Sequence, residues 1–160
     1  MDGLLFGLTL VALVAAGLVG GVFFAFSNFV MKALGRLRPS EGAAAMQSIN
    51  ITVITPAFMT ALFGTGLLCL VLVARGLAHL DEPYAGWLIA GGAIYFVGEV
   101  VITLGYHVPR NNALARVDPE SEEGARVWRT YLVEWTRANH VRTAAGLAAC
   151  ALFAVALQAG

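Results

Sequence analysis

Charged positions are sparse along the chain and fall in clusters. Residues 3–31 carry none, 42–74 none, 83–109 only Glu99, and 143–160 none, with Arg142 standing at the entrance of the last stretch. A hydrocarbon core of roughly 30 Å takes about 20 apolar residues in a helix. The pattern therefore predicts spans near 4–33, 51–74, 85–107 and 139–158. The second apolar stretch is too long for one straight crossing at about 1.5 Å per residue. Residues 40–49 should accordingly lie at the interface, and Pro56 should kink the following helix and free the carbonyl of Thr52. Between spans 3 and 4, Asp118-Pro119-Glu120 reads as an N-cap, a proline at the first helical position and an acidic first turn. From there Val127, Trp128, Tyr131, Leu132, Trp135 and Ala138 recur at helical spacing, with most charges on the other side. No breaker separates this segment from span 4, so one long helix or two nearly collinear ones should run over 119–158. The expected fold is all-α: one integral membrane domain, a four-helix bundle whose fourth helix has a cytoplasmic extension over 119–138, its aromatic stripe docked on the bundle mouth, either as an interfacial belt or as the lining of a ligand site.

Composition supports a membrane protein. Of 160 residues 59% are hydrophobic and 12% charged, against about 45–50% and 25% in soluble domains. Ten basic and ten acidic residues cancel, leaving no global field to gather nucleic acid. Nine of the ten basic residues follow span 1 or lie around the segment before span 4, and Arg75 alone lies on the other side. The positive-inside rule then makes 34–50 and 108–138 cytoplasmic and places both termini outside a cell (inner) membrane, crossed several times. Met1 and Asp2 provide no basic leader, so span 1 does not read as a removable signal. Cys69 and Cys150 fall within spans without a paired spacing and are expected as two buried thiols. Gly3/Gly7 and Gly17/Gly21 have GxxxG spacing; with Gly64, Gly66, Gly91, Gly92, Gly98 and Gly105 they predict close helix approach and permit a homo-oligomer.

Polar side chains are costly in lipid, so their placement carries information. Ser27 and Asn28 end span 1; Asn50, Thr52 and Thr55 open span 2; Glu99, Thr103, Tyr106 and His107 close span 3; Asn139, His140, Arg142 and Thr143 open span 4. All belong to the cytoplasmic half, which predicts a pocket open to one side and argues against a transporter path through the bilayer. Glu99, Thr103 and Tyr106, at i, i+4 and i+7, should share the inward face, with His107 beside them. Glu99 would lie roughly 12 Å deeper than His107, paired with a cation such as Arg142 or protonated. His107-Val108-Pro109-Arg110-Asn111-Asn112 should end span 3, because proline disfavours helix at the residue before it, with the two amides capping or turning the chain. His140 enters the opposite helix at the same depth and is expected to face His107 across the mouth.

Five segments carry a family resemblance: Phe23-Phe24-Ala25-Phe26-Ser27-Asn28-Phe29-Val30, Met46-Gln47-Ser48-Ile49-Asn50, Pro56-Ala57-Phe58-Met59, Val108-Pro109-Arg110-Asn111-Asn112-Ala113-Leu114 and Trp135-Thr136-Arg137-Ala138-Asn139-His140-Val141-Arg142-Thr143. Across nearly its whole length the chain resembles the anthrone oxygenase-like family of small four-span membrane proteins. The last two segments are the most specific, and Glu99 falls in none of them. The resemblance implies oxidation of a planar lipophilic aromatic molecule by dioxygen without metal or flavin. An anthrone methylene is acidic because its anion is an aromatic phenolate, so such an enzyme needs a base, an oxyanion site and a dry aromatic slot. On this reading His140 takes the proton, with His107 as alternative base or supporting partner. Arg142 with Asn139 or Asn111 holds the anionic oxygen. Phe26, Tyr106 and Trp135 stack on the substrate, and Asn28, Asn50, Glu99 and Asn112 complete its surroundings.

Other classes compete. Histidines 107 and 140 could hold haem, or with Glu99 a transition metal, although neither has a ligand spacing within its own helix. A non-catalytic binding or assembly subunit would use the polar cluster to lock helices and would have no enclosed cavity, whereas an enzyme needs a pocket of several hundred Å³ reaching the histidines.

Overall fold

The computed structural model describes all of residues 1–160. It contains helices α1 (Gly3–Leu34), α2 (Pro39–Thr52), α3 (Pro56–Ala78), α4 (Ala85–Ala115) and α5 (Glu122–Ala159), and no strand. All except α2 are long and apolar enough to cross a membrane. Their buried share is small, 28–39% of each span, and the outward faces carry Leu4, Val14, Leu18, Leu67 and Val97 rather than charges. A helix apolar on its exposed side has lipid as its solvent. The protein is a multi-pass membrane protein built as an all-α bundle.

The spanning helices close into a ring: α1 packs on α5, α5 on α4, α4 on α3, and α3 on α1. One end of the bundle gathers the chain termini. The Met1 ammonium donates to the Gly160 carbonyl at 3.2 Å, and Arg75 at the end of α3 lies 3.3 Å from the Asp2 carboxylate. The opposite, basic end carries Lys32, Arg36, Arg110 and the charged start of α5. Two apolar clusters divide along this axis. Leu5, Ala12, Leu72, Leu88 and Phe153 fill the terminal end, and Met31, Met46, Leu114, Trp128, Tyr131 and Trp135 fill the basic end.

Backbones approach closely where α1 crosses α5. A Cβ on Gly146 would stand 2.9 Å from the Gly20 Cα and 2.5 Å from a Glu99 carboxyl oxygen, so nothing larger than hydrogen fits. This crossing centres on Gly20, with Gly17 of one GxxxG pair in ordinary contact distance of Cys150. Gly3, Gly7, Gly21 and Gly105 face open space. Cys69 is buried and Cys150 half-buried, both as free thiols.

Three breaks differ from expectation. Pro56 does not kink a continuous helix. Thr55, restricted by the following proline, is extended at φ −104° and ψ 150°, and its hydroxyl accepts from the Phe58 amide, so α3 begins afresh and α2 stands apart as a short helix. Pro109 does not end span 3. Val108 keeps helical geometry at φ −58° and ψ −47°, and α4 runs on to Ala115, because a wide π-helical turn at Thr103–His107 re-spaces the backbone ahead of the proline ring. Asn111 and Asn112 therefore sit inside a helix instead of capping it. The Asp118 carboxylate closes a local turn on the Glu120 amide, and the N-cap of α5 is Ser121, which accepts from Gly124. From that cap α5 continues as one helix of 38 residues.

Candidate functional site

At the basic end a half-open cavity of about 180 Å³ lies between α1, α3, α4 and α5, with α2 along one side. The elements around it are irregular in a consistent way. π-helical turns occur at Phe26–Val30, Thr60–Gly64, Phe96–Val101 and Thr103–His107, and they carry Ser27, Glu99, Thr103 and His107. Such turns release backbone carbonyls to side-chain partners and redirect side chains, which is why they concentrate at functional sites. At the second of them the Tyr95 hydroxyl approaches the Ala61 and Leu62 carbonyls at 3.3 and 3.2 Å.

Arg142 lies at the inner wall and is 3% exposed. Its guanidinium donates to the Thr103 hydroxyl at 3.1 Å and to the Asn139 side-chain oxygen Oδ1 at 2.6 Å, and its central carbon stands 3.8 Å from the centroid of the Phe23 ring. The Asn139 amide nitrogen donates to the Phe23 carbonyl at 2.7 Å and to Ser27 at 2.8 Å, and Ser27 shares a hydrogen bond with Thr143. A buried cation is thus oriented by neutral groups from three helices, and its Nε has no partner. No ion pair joins it to Glu99. The four ion pairs present are Arg38–Glu41, Arg75–Asp2, Arg110–Glu134 and Arg126–Glu123.

His107 forms part of the cavity wall. It is 1% exposed, yet neither ring nitrogen has a hydrogen-bond partner. The ring meets Trp135 edge to face at 4.9 Å and Tyr106 at 5.7 Å. Trp135 continues a stack through Tyr131 and Trp128, with centroids 6.0 and 5.8 Å apart, and touches Phe26 at 5.7 Å. The Asn111 side-chain oxygen accepts from both Trp135 Nε1 and the Tyr131 hydroxyl, at 3.0 and 2.8 Å, which fixes the aromatic wall. The stripe on α5 is therefore buried against α2 and the cavity, not laid out as an interfacial belt. Phe23, Phe58 and Leu62 supply the apolar remainder, with Val53 and Ile54 where α2 breaks from α3.

The fold brings Phe26, Asn50, His107, Asn111, Trp135 and Arg142 together on this cavity, with Asn139 behind Arg142. Other expected site residues are elsewhere. His140 does not face His107. Regular helix geometry turns it away from the buried row Trp135, Asn139, Arg142, and it is exposed in a separate cleft against α1. Tyr106 is not on the inward face. The wide turns over 96–107 shift the register, so that Glu99, Thr103 and His107 share that face and Tyr106 lies half-buried beneath the Arg110 guanidinium, 3.4 Å from its centroid. Glu99 is wholly buried but does not line the cavity, and both carboxyl oxygens lack partners. Asn28 is exposed on α1, and Asn112 borders a neighbouring groove of about 310 Å³ that shares Asn50, Ile54, Val108 and Asn111 with the cavity. Sequence reasoning passed over Phe23 and Phe58 as site residues, and placed Thr103 on the inward face without giving it a role. Thr103 alone had a legible signal, its spacing of four from both Glu99 and His107.

His107 and His140 line different cavities, and no three His, Cys, Asp or Glu side chains come together.

The family model for anthrone oxygenase matches residues 53–152. The chain belongs to the anthrone oxygenase family. Within the anthrone oxygenase match lie the cavity residues from Phe58 to Arg142, including His107, Asn111 and Trp135, while Phe23, Phe26 and Asn50 precede it. No curated protein and no solved structure matches the chain.

Proposed function

We propose that the chain is a membrane-embedded oxidoreductase that oxidises a planar, lipophilic aromatic methylene compound of anthrone type with dioxygen. What carries the reading is an unpartnered imidazole, that of His107, buried in an aromatic cavity that also holds a buried arginine. Neutral His107 takes a proton from the activated methylene. The anion is a phenolate, and Arg142 with Asn111 steadies its oxygen. Phe26 and Trp135 bracket the rings. The electron-rich carbon then bonds to dioxygen. Loss of water from the resulting hydroperoxide leaves a carbonyl, so CH2 plus O2 gives C=O plus H2O with no other oxidant. This chemistry asks for no metal or flavin, since the substrate anion itself reduces dioxygen.

The cavity is smaller than the roughly 300–1,000 Å³ of drug-sized sites. A tricyclic substrate would therefore enter with displacement of Val53 and Ile54, beside the break between α2 and α3. A binding or assembly subunit is the weaker reading, because a polar cluster serving only to lock helices would not leave His107 unpaired beside a void.

The test is dioxygen uptake with anthrone consumption by purified protein in detergent. The wild type should turn over, and His107→Gln should lose about 10²–10⁴-fold in kcat. Equal turnover in the two proteins would remove His107 from the mechanism. No uptake above the uncatalysed rate, with folded wild type, would overturn the assignment of an oxygenase.

A further inference from the structure

A second cleft, of about 540 Å³, lies against a different face of α5 from the cavity, between α1 near its end and the middle of α5. Lys32 and Arg36 come from the α1 side and Thr136 and His140 from α5, with Met31 and Leu132 as the apolar surface between them. No carboxylate lines it, and neither Lys32 nor Arg36 belongs to any of the four ion pairs. Cations at the C-terminal end of a helix are favoured by its dipole. That preference does not account for a cleft whose two cations are left without any acidic neighbour while Arg38, Arg110 and Arg126 all have one.

The level of the cleft points to its occupant. Lys32 follows immediately on the uncharged run 3–31, and His140 precedes the uncharged run 143–160 by one turn, so both mark the boundary between lipid and water. Toward the membrane, α5 continues from His140 to Ala144 and Leu147 at i+4 and i+7, both exposed and uncharged. Phosphate at this boundary, with hydrocarbon beside the adjoining helix faces, is the chemistry of a lipid and not of a soluble metabolite.

We propose that this cleft binds the phosphate headgroup of an anionic lipid in the adjoining leaflet, held by Lys32 and Arg36 and supplemented by the His140 ring. Basic residues near an anionic surface add attraction individually, so losing both should weaken binding on the order of tenfold.

Thermal unfolding of the full chain in a neutral detergent provides the measurement, because a ligand of the folded state raises the midpoint. Phosphatidylglycerol should raise it more than phosphatidylcholine, and inorganic phosphate alone should not reproduce the rise. The double substitution Lys32→Gln, Arg36→Gln should shift the phosphatidylglycerol titration about tenfold to higher concentration. His140→Gln should shift it less. Arg116→Gln with Arg129→Gln, two unpaired basic positions outside the cleft, should leave it unchanged. Both cleft cations are exposed, so the double variant is expected to fold. An equal response to the two lipids, a full response to phosphate alone, or an equal shift in the Arg116, Arg129 variant would each overturn the proposal.

Discussion

At the scale of single residues, the site holds groups that a protein selected for stability alone would not keep. A buried donor or acceptor without a partner costs about 1–3 kcal/mol, and His107 has two such atoms. His107→Leu should therefore raise the unfolding midpoint while abolishing turnover, a pairing of effects expected where function opposes stability. Asn111 has the opposite character. Its oxygen satisfies Trp135 and Tyr131 together, so Asn111→Leu strands two donors and should destabilise by about 2–4 kcal/mol, read by denaturation in detergent. His140 is exposed away from the cavity. His140→Ala should retain wild-type kcat, and a large loss would return the catalytic base to that helix.

At the scale of elements, packing and irregularity divide the work. The α1–α5 crossing excludes side chains at Gly20 and Gly146. Gly146→Ala forces a Cβ into the Gly20 backbone and the Glu99 carboxyl, and overpacking of this kind costs about 1–3 kcal/mol. Gly21→Ala adds a methyl to open space and should be neutral or slightly stabilising, since alanine is the better helix former. Comparing the two variants by thermal unfolding isolates the crossing from helix propensity. The wide turns in α4 serve a different end, since they carry the helix through Pro109 and place Glu99, Thr103 and His107 in one row.

The whole molecule is asymmetric along the membrane normal. Its terminal end is a tight apolar cluster closed by ionic and backbone contacts, and its basic end is an aromatic shell around a void. The Asp2 carboxylate accepts from the Leu5 amide at 2.8 Å and faces Arg75, and these contacts hold its pKa below the ordinary 3.8. A lowered folded value means that the stabilisation is complete above the ordinary value and disappears as pH falls through the lowered one. Acidification below that range should loosen the first turn of α1, seen as faster amide exchange at Leu5 and Phe6. Asp2→Asn should show less of this pH dependence.

Four spans were legible because lipid imposes a length and bars charge, and both constraints are written in the order of residues from Gly3 to Gly160. The polar residues that would meet at one end were legible for the same reason, since each had to lie near a span terminus to be tolerated. The face each of them takes was not. Period arithmetic assumes a regular helix, and the wide turns over 96–107 exchange Tyr106 for His107 on the inward side. His140 differs from Arg142 by two residues, and it is the crossing of α1 on α5 that makes one face the exterior and the other the cavity. Local chemistry thus determined which segments enter the membrane, while the mutual packing of helices, which no single segment encodes, decided which histidine sees the void.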